Sequence, residues 1–314
     1  MKKKVVVLGG GTGLSHLLRG LKEFPIDITA VITVADNGKS TGKLREEFST
    51  PAVGDIRQVL TNLSCLPSEI KDIMEYRFDT YSDLNGHPIG NLLLTAMLNK
   101  TNSLKKSIEN LSELLDVKHK VLPLSEDYLT LEAETIDGKI ITGESEIMKS
   151  YKKFKKIQYK ETPHVLKEVI DAIKNADLIV LSMGSLYTSI VPHLICKDII
   201  KAIDKSKAPI VYLCNIMNQP GEVLESYASH YVSTLNQYLG KKKVNLVIAN
   251  NQSISKEMIR KYEKESKEPV KIDYENLKKM KVELIEDYLI TTDDGTIKHN
   301  GLKVSSILFS YLMR

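Results

Sequence analysis

The sequence predicts an α/β protein built on a mostly parallel sheet, and three observations predict it. Short, nearly continuous apolar runs alternate with segments whose apolar residues recur at helical spacing. Loops rich in glycine or amide side chains follow those runs directly, as the ligand-binding loops of parallel sheets do. The composition is 42% apolar and 27% charged over 314 residues, enough to bury a sizeable core. No window of about 18 uncharged apolar residues occurs, so no membrane-spanning helix is predicted.

Taken in chain order, residues 5–8 read as the first strand, residues 14–23 as a helix and residues 28–34 as the second strand. The basic start Met1-Lys2-Lys3-Lys4 resembles the head of a signal peptide, but the apolar run behind it is too short and ends in glycines, so a cytoplasmic protein is expected. Residues 55–115 read as a helical insertion, with Ile56, Val59, Leu60 and Leu63, then Ile108, Leu111, Leu114 and Leu115, on helical faces. A small β-hairpin appendage is expected within residues 117–160. There residues 128–135 alternate in polarity and meet 139–142 through Asp137-Gly138, a type I′ turn signal. Three short apolar runs, 178–181, 210–213 and 244–249, read as buried parallel strands, with helices near 188–203, 223–238 and 256–265. Without repeats or a Pro/Gly-rich linker, residues 1–314 are expected to form one domain.

Cys65, Cys196 and Cys214 lie far apart and show no Cys-x-x-Cys spacing, which argues against a disulfide framework or structural zinc. The net charge of +4 is mild, the lysine runs read as solvated faces, and no tryptophan or interleaved aromatic surface is offered to bases. Nucleic acid is therefore not an expected partner.

The polar loops at residues 9–13, 35–42, 182–188, 215–222 and 250–252 all follow predicted parallel strands, so they should converge on one crevice. Gly9-Gly10-Gly11-Thr12-Gly13 is the sharpest of them. Glycines permit positive φ and close backbone approach, and the helix behind them aims free amides at an anion. Its spacing is not that of a dinucleotide fingerprint, because Leu14 stands where the third glycine belongs. Gly38-Lys39-Ser40 imitates the end of a P-loop, but Thr33 occupies the place of the required earlier glycine. Residues 35–45 are read as a mobile loop with Asp36 and Asn37 at its root, bringing Lys39, Lys43 and Arg45 toward a diphosphate. Asp55 is expected to cap the next helix, leaving Arg57 as a phosphate ligand. Asn91 is suited to read a base or sugar edge and His87 to donate to phosphate, or both to form a turn. Residues 182–189, with Gly184, Ser185 and Tyr187, make a second cradle, and Asn215 with residues 218–222 suits neutral polar groups. No nucleophile, base and orienter stand together.

Six segments in order, Gly-Gly-Gly-Thr-Gly-Leu at 9–14, Val-Ala-Asp-Asn-Gly at 34–38, Gly-Asp-Ile-Arg at 54–57, Gly-His-Pro-Ile-Gly-Asn-Leu-Leu-Leu at 86–94, Gly-Ser-Leu-Tyr-Thr-Ser at 184–189 and Asn-Gln-Pro-Gly-Glu at 218–222, together resemble the YvcK-like gluconeogenesis factors of the CofD-like superfamily, almost end to end. The resemblance implies a Rossmann-like three-layer fold that binds uridine diphosphate sugars, notably UDP-N-acetylglucosamine. It also implies cytoplasmic proteins linked to cell shape, envelope synthesis and growth on gluconeogenic carbon. Protein partners in envelope synthesis and a homo-oligomer are expected with it. The CofD branch instead transfers a phospholactyl group from a guanosine diphosphate adduct to a deazaflavin.

Carried over residue by residue, the resemblance gives Gly11, Thr12 and Gly13 to phosphate, Asp36 and Asn91 to the nucleotide crevice, and Ser185 and Tyr187 to the opposite wall. Tyr262 and Lys298 fall where the family places a Tyr and an Arg associated with nucleotide-sugar binding, and a lysine there supplies a point charge in place of a fork. Asn37 replaces a usual Asp, Lys39 a usual Gly, and Ser182-Met183 a Gly-Pro. Losing the carboxylate at position 37 weakens a magnesium-dependent transferase, since Mg²⁺ favours carboxylate oxygens beside substrate phosphate. The expectation is a nucleotide-sugar sensor that requires no cofactor, with Mg²⁺ on Asp36 only in the transferase alternative and a nicotinamide-dependent enzyme as a third reading.

Overall fold

The computed structural model describes residues 2–223, 225–293 and 295–314. Its strands are β1 (Lys3–Gly9), β2 (Ile26–Ile32), β3 (Lys120–Pro123), β4 (Leu131–Thr135), β5 (Ile140–Thr142), β6 (Phe154–Tyr159), β7 (Leu178–Leu181), β8 (Ile210–Leu213), β9 (Leu246–Asn250), β10 (Glu283–Asp287), β11 (Ile290–Asp293) and β12 (Thr296–His299). Seven of them form one sheet in the order β10-β9-β8-β7-β1-β2-β3, and every pairing in it is parallel. Central β1 pairs Val5 with Ile28 on one side and with Leu178 on the other. A strand hydrogen-bonded on both edges and covered on both faces must be apolar throughout. Val5, Val6, Val7 and Leu8 are accordingly buried, each side chain contributing about 1.5–3 kcal/mol relative to exposure.

Helices cover the sheet in a three-layer, Rossmann-like arrangement. The first seven are α1 (Gly11–Leu21), α2 (Lys39–Phe48), α3 (Gly54–Leu63), α4 (Ser68–Glu75), α5 (Ile89–Thr101), α6 (Leu104–Leu114) and α7 (Glu144–Lys149). The stretch expected as a helical insertion carries α3 to α6. Helix α1 packs between α3 and the last helix, Gly301–Leu312. A Cβ at Gly20 would lie 2.4 Å from the Gly301 carbonyl oxygen, so glycine is what lets those two backbones meet.

Several expectations need correction. The β2 strand starts earlier and ends at Ile32, and residues 39–48 are helix α2, so the polar loop behind β2 is short. Part of the expected appendage belongs to the main sheet: β3 is its edge strand, paired with β2. The remainder is a three-stranded sheet, β5-β4-β6, and not a two-stranded hairpin. Its turn is not type I′, because of its two central residues only Gly138 has positive φ, +80°. Thr135 closes the loop instead, its carbonyl accepting from Gly138 and its amide donating to Lys139, a turn with a glycine bulge. The expected helix over 188–203 is broken into a single π-helical turn (Leu186–Ile190), a short helix (Val191–Leu194) and a second helix (Lys197–Lys205). Pro192 lacks an N–H, so one continuous ladder cannot run through it. The helix expected from 223 begins at Ala228, and Leu224 lies outside the described residues. Strand β10, the β11–β12 hairpin and the last helix were not foreseen.

No helix among the described residues is long and apolar enough to cross a membrane.

Candidate functional site

A cleft of about 760 Å³ opens over the carboxyl ends of β1, β2, β7 and β8. Strand order reverses between β1 and β7, the place where loops diverge and leave a crevice in open parallel sheets. Gly10, Gly11, Thr12 and Gly13 form one wall and Gly184, Ser185 and Asn215 the other. Of the five polar loops, 250–252 does not line it. Asn250 Oδ1 and Gln252 Oε1 accept from the amides of Leu289 and Ile290 and so tether the start of the β11–β12 hairpin.

The glycines of the first loop do different jobs. A Cβ on Gly13 would sit 1.8 Å from the Met183 carbonyl oxygen, and one on Gly9 would sit 1.9 Å from Ser182 Oγ. These two let the β1 and β7 loops touch. Gly11 is different: its φ is +68°, and a Cβ there would meet nothing within 4 Å. Its open side faces the cleft at the N-terminus of α1, where a phosphate can approach the backbone.

That N-terminus already has an anion. Asp55 Oδ2 accepts from the Gly11 amide at 2.6 Å. The expected capping of its own helix does not occur, since α3 has no side-chain cap. Burial first, then the Asp36 carboxylate, pushes the Asp55 carboxyl up to about 7. Glu144, at the start of α7, faces Asp36, and burial followed by that neighbour raises its carboxyl above the usual range too. Asp36 Oδ1 accepts from Gly38 N at 2.8 Å. Hard oxygens of this kind suit Mg²⁺, but no group of three or more His, Cys, Asp or Glu among the described residues converges as a metal site.

Below the cleft runs a buried polar chain. Arg57, 1% exposed, pairs with Glu75 at the end of α4, and its Nε donates to Asn91 Oδ1 at 2.8 Å. Asn91 Nδ2 donates to Ser40 Oγ at 3.1 Å, which meets His87 Nδ1 at 2.9 Å. Burial first, then Lys43, lowers the His87 imidazole below its ordinary value. Arg57 and Asn91 line the cleft but spend these groups on each other, so they brace its floor. Arg45 does not approach a ligand, because its Nη1 and Nη2 donate to the carbonyls of Asp36 and Leu129 at 2.9 and 2.6 Å.

On the opposite wall, Glu222 Oε1 accepts from Ser185 Oγ and from Leu186 N, each at 2.7 Å, fixing the start of the π-helical turn. Such turns frequently accompany functional sites, and this one presents Thr188 and Ser189 to the cleft. Asn215 Nδ2 donates to Gly184 O at 3.0 Å, while its Oδ1 is buried without a partner. Lys39, Arg77, Lys149 and Lys267 stand around the rim.

Three predicted residues lie off the cleft. Asn37 Oδ1 accepts from Ser145 N at 2.9 Å and holds the turn that carries Glu144. Tyr187 is buried, edge-on to Phe154 with ring centroids 5.3 Å apart. Lys298 lines a second cavity on the far side of the β11–β12 hairpin. Tyr262 does line the cleft, where its hydroxyl accepts from Ile297 N at 2.8 Å and so anchors that hairpin.

The family described as 2-phospho-L-lactate transferase CofD matches residues 5–290. A gluconeogenesis factor of Bacillus subtilis strain 168 is 44% identical over 99% of this chain and 98% of its own. Another, from Halalkalibacterium halodurans, is 43% identical over 98% and 96%. The chain belongs to the CofD family, in its gluconeogenesis-factor branch. An X-ray crystal structure of a Bacillus halodurans protein superposes with a TM-score of 0.95 at 42% identity, covering 98% of this chain and all of that one.

For this CofD-family chain, sequence reasoning missed Glu144 and His299 as lining residues and misjudged Asp55. In sequence Asp55 reads as an acidic residue at a helix start, and only the fold brings it to Gly11, 44 positions away. Glu144 and His299 had no local signal, since the appendage and an unforeseen hairpin bring them in.

Proposed function

We propose that the cleft binds a nucleotide diphosphate sugar, UDP-N-acetylglucosamine, and that the protein is a cytoplasmic gluconeogenesis factor that senses this ligand and is linked to cell shape and envelope metabolism. The observation carrying the reading is Gly11, whose open, positive-φ backbone stands at a helix N-terminus beside the strand-order reversal. The rim cations Lys39, Lys149 and Lys267 supply charge for a diphosphate. The unpartnered Asn215 Oδ1 suits a donor on a sugar or base. Names borne by the relatives, gluconeogenesis factors, support the metabolic setting.

Thermal unfolding with UDP-N-acetylglucosamine, UDP-glucose, GDP and NAD tests this. A ligand at a hundred times its dissociation constant adds roughly 2.7 kcal/mol of stability. Gly11→Asp should remove the shift, because it sets a carboxylate in the open space meant for phosphate. A protein that responds to no uridine nucleotide overturns the reading. Magnesium-dependent turnover of a nucleotide diphosphate adduct would replace it with the transferase.

A further inference from the structure

The second cavity is about 820 Å³, as large as the first cleft, and lies between α1, the start of α4, the β11–β12 hairpin and the first turn of the last helix. Its charge is lopsided: Arg19, Lys22, Lys71 and Lys298 line it against Glu23 and Asp72. Lys22 Nζ is anchored on the Asn62 and Ser64 carbonyls, at 2.9 Å each, where it closes the C-terminus of α3. Burial first and then Lys71 lower its ammonium, Glu23 opposing and Arg19 adding to the effect. Arg19 and Lys71 make no ion pair with a described residue. A concave surface with an excess of one sign of charge focuses its field on whatever enters. The hydroxyls of Ser68, Thr291 and Thr292 ring the same space.

We propose that this basic cavity is a second ligand site, distinct from the nucleotide-sugar cleft, and that it takes a small phosphorylated polyol such as a sugar phosphate. Arg19 supplies a planar fork for two phosphate oxygens and Lys71 a point charge in the same cavity. Lys22, held by the α3 carbonyls, gives a fixed charge in the same lining. The three hydroxyls offer partners to the polyol body, which inorganic phosphate lacks.

Glucose 6-phosphate, glucose and inorganic phosphate are titrated calorimetrically into the chain of residues 1–314, with and without saturating UDP-N-acetylglucosamine. Glucose 6-phosphate should bind in both settings, more tightly than inorganic phosphate, with glucose silent and affinity falling as salt rises. Arg19→Gln with Lys71→Gln should weaken it at least about tenfold while thermal unfolding of the free chain stays unchanged. Binding that is absent, that survives the double variant or that UDP-N-acetylglucosamine competes away overturns the second site. Equal affinity for inorganic phosphate overturns the polyol assignment. Failure of UDP-N-acetylglucosamine to bind at all touches only the first cleft, so the two readings fail separately.

Discussion

The two cavities are of similar size and are built in opposite ways. The first is made of interlocked main chain: Gly13 lies on the Met183 carbonyl, the Gly11 amide is held by Asp55, and the Leu186 amide by Glu222. Its carboxylates and Arg57 sit at the floor, and Lys39, Arg77, Lys149 and Lys267 stand at the rim. The second takes its cations from side chains on its wall, Arg19 and Lys71 projecting from α1 and α4 while Lys22 is tied to the α3 carbonyls. A site whose backbone is shared with the core constrains the fold, whereas one assembled from projecting side chains can change its charge at little structural cost.

The contrast breaks first at Gly13. Gly13→Ala forces a methyl against a carbonyl in the interior and should cost about 2–3 kcal/mol in denaturant unfolding. An unchanged midpoint would mean the cradle yields as easily as a surface. Asp55 sharpens the contrast more gently. Its carboxyl is raised to about 7 in the fold, against roughly 4 when unfolded, so the fold prefers it protonated. That preference contributes stability in full below pH 4 and loses it as pH rises toward 7. Asp55→Asn, which keeps an acceptor for Gly11, should therefore melt about 2–4 °C above the parent at pH 8 and lose that advantage by pH 4. A pH-independent difference would show that the residue acts by packing alone. Smallest is the second cavity: Arg19→Gln or Lys71→Gln should move unliganded stability by no more than about 0.5 kcal/mol. A larger loss would mean those side chains hold the fold after all.

The parallel sheet was legible because strands buried on both faces leave unbroken apolar runs, as at residues 178–181 and 210–213. Strand β10 was not, since Glu283-Leu284-Ile285-Glu286-Asp287 is a partly exposed edge with charged ends. The crevice was legible through its loops, because glycines after strands are a backbone signal. What the side chains do in it was much less so. Arg57 and Asn91 look identical in sequence whether they hold a ligand or hold each other, and only their 2.8 Å contact decides. Asn37 and Tyr187 sit within correct motifs yet turn away, toward Ser145 and Phe154, because their partners come from the three-stranded appendage.

The polar chain from exposed Glu75 through buried Arg57, Asn91 and Ser40 to His87 ties the helical insertion to the cleft floor. Its members come from α2, α3, α4, α5 and the turn before α5, so no contiguous segment carries the whole set. A chimera that exchanges residues 64–88 with a relative would import new ends for this chain while keeping its middle. Grafts across the family should therefore be cut so that Glu75 and His87 travel together with Ser40, Arg57 and Asn91, or the recipient inherits a stranded guanidinium under its cleft.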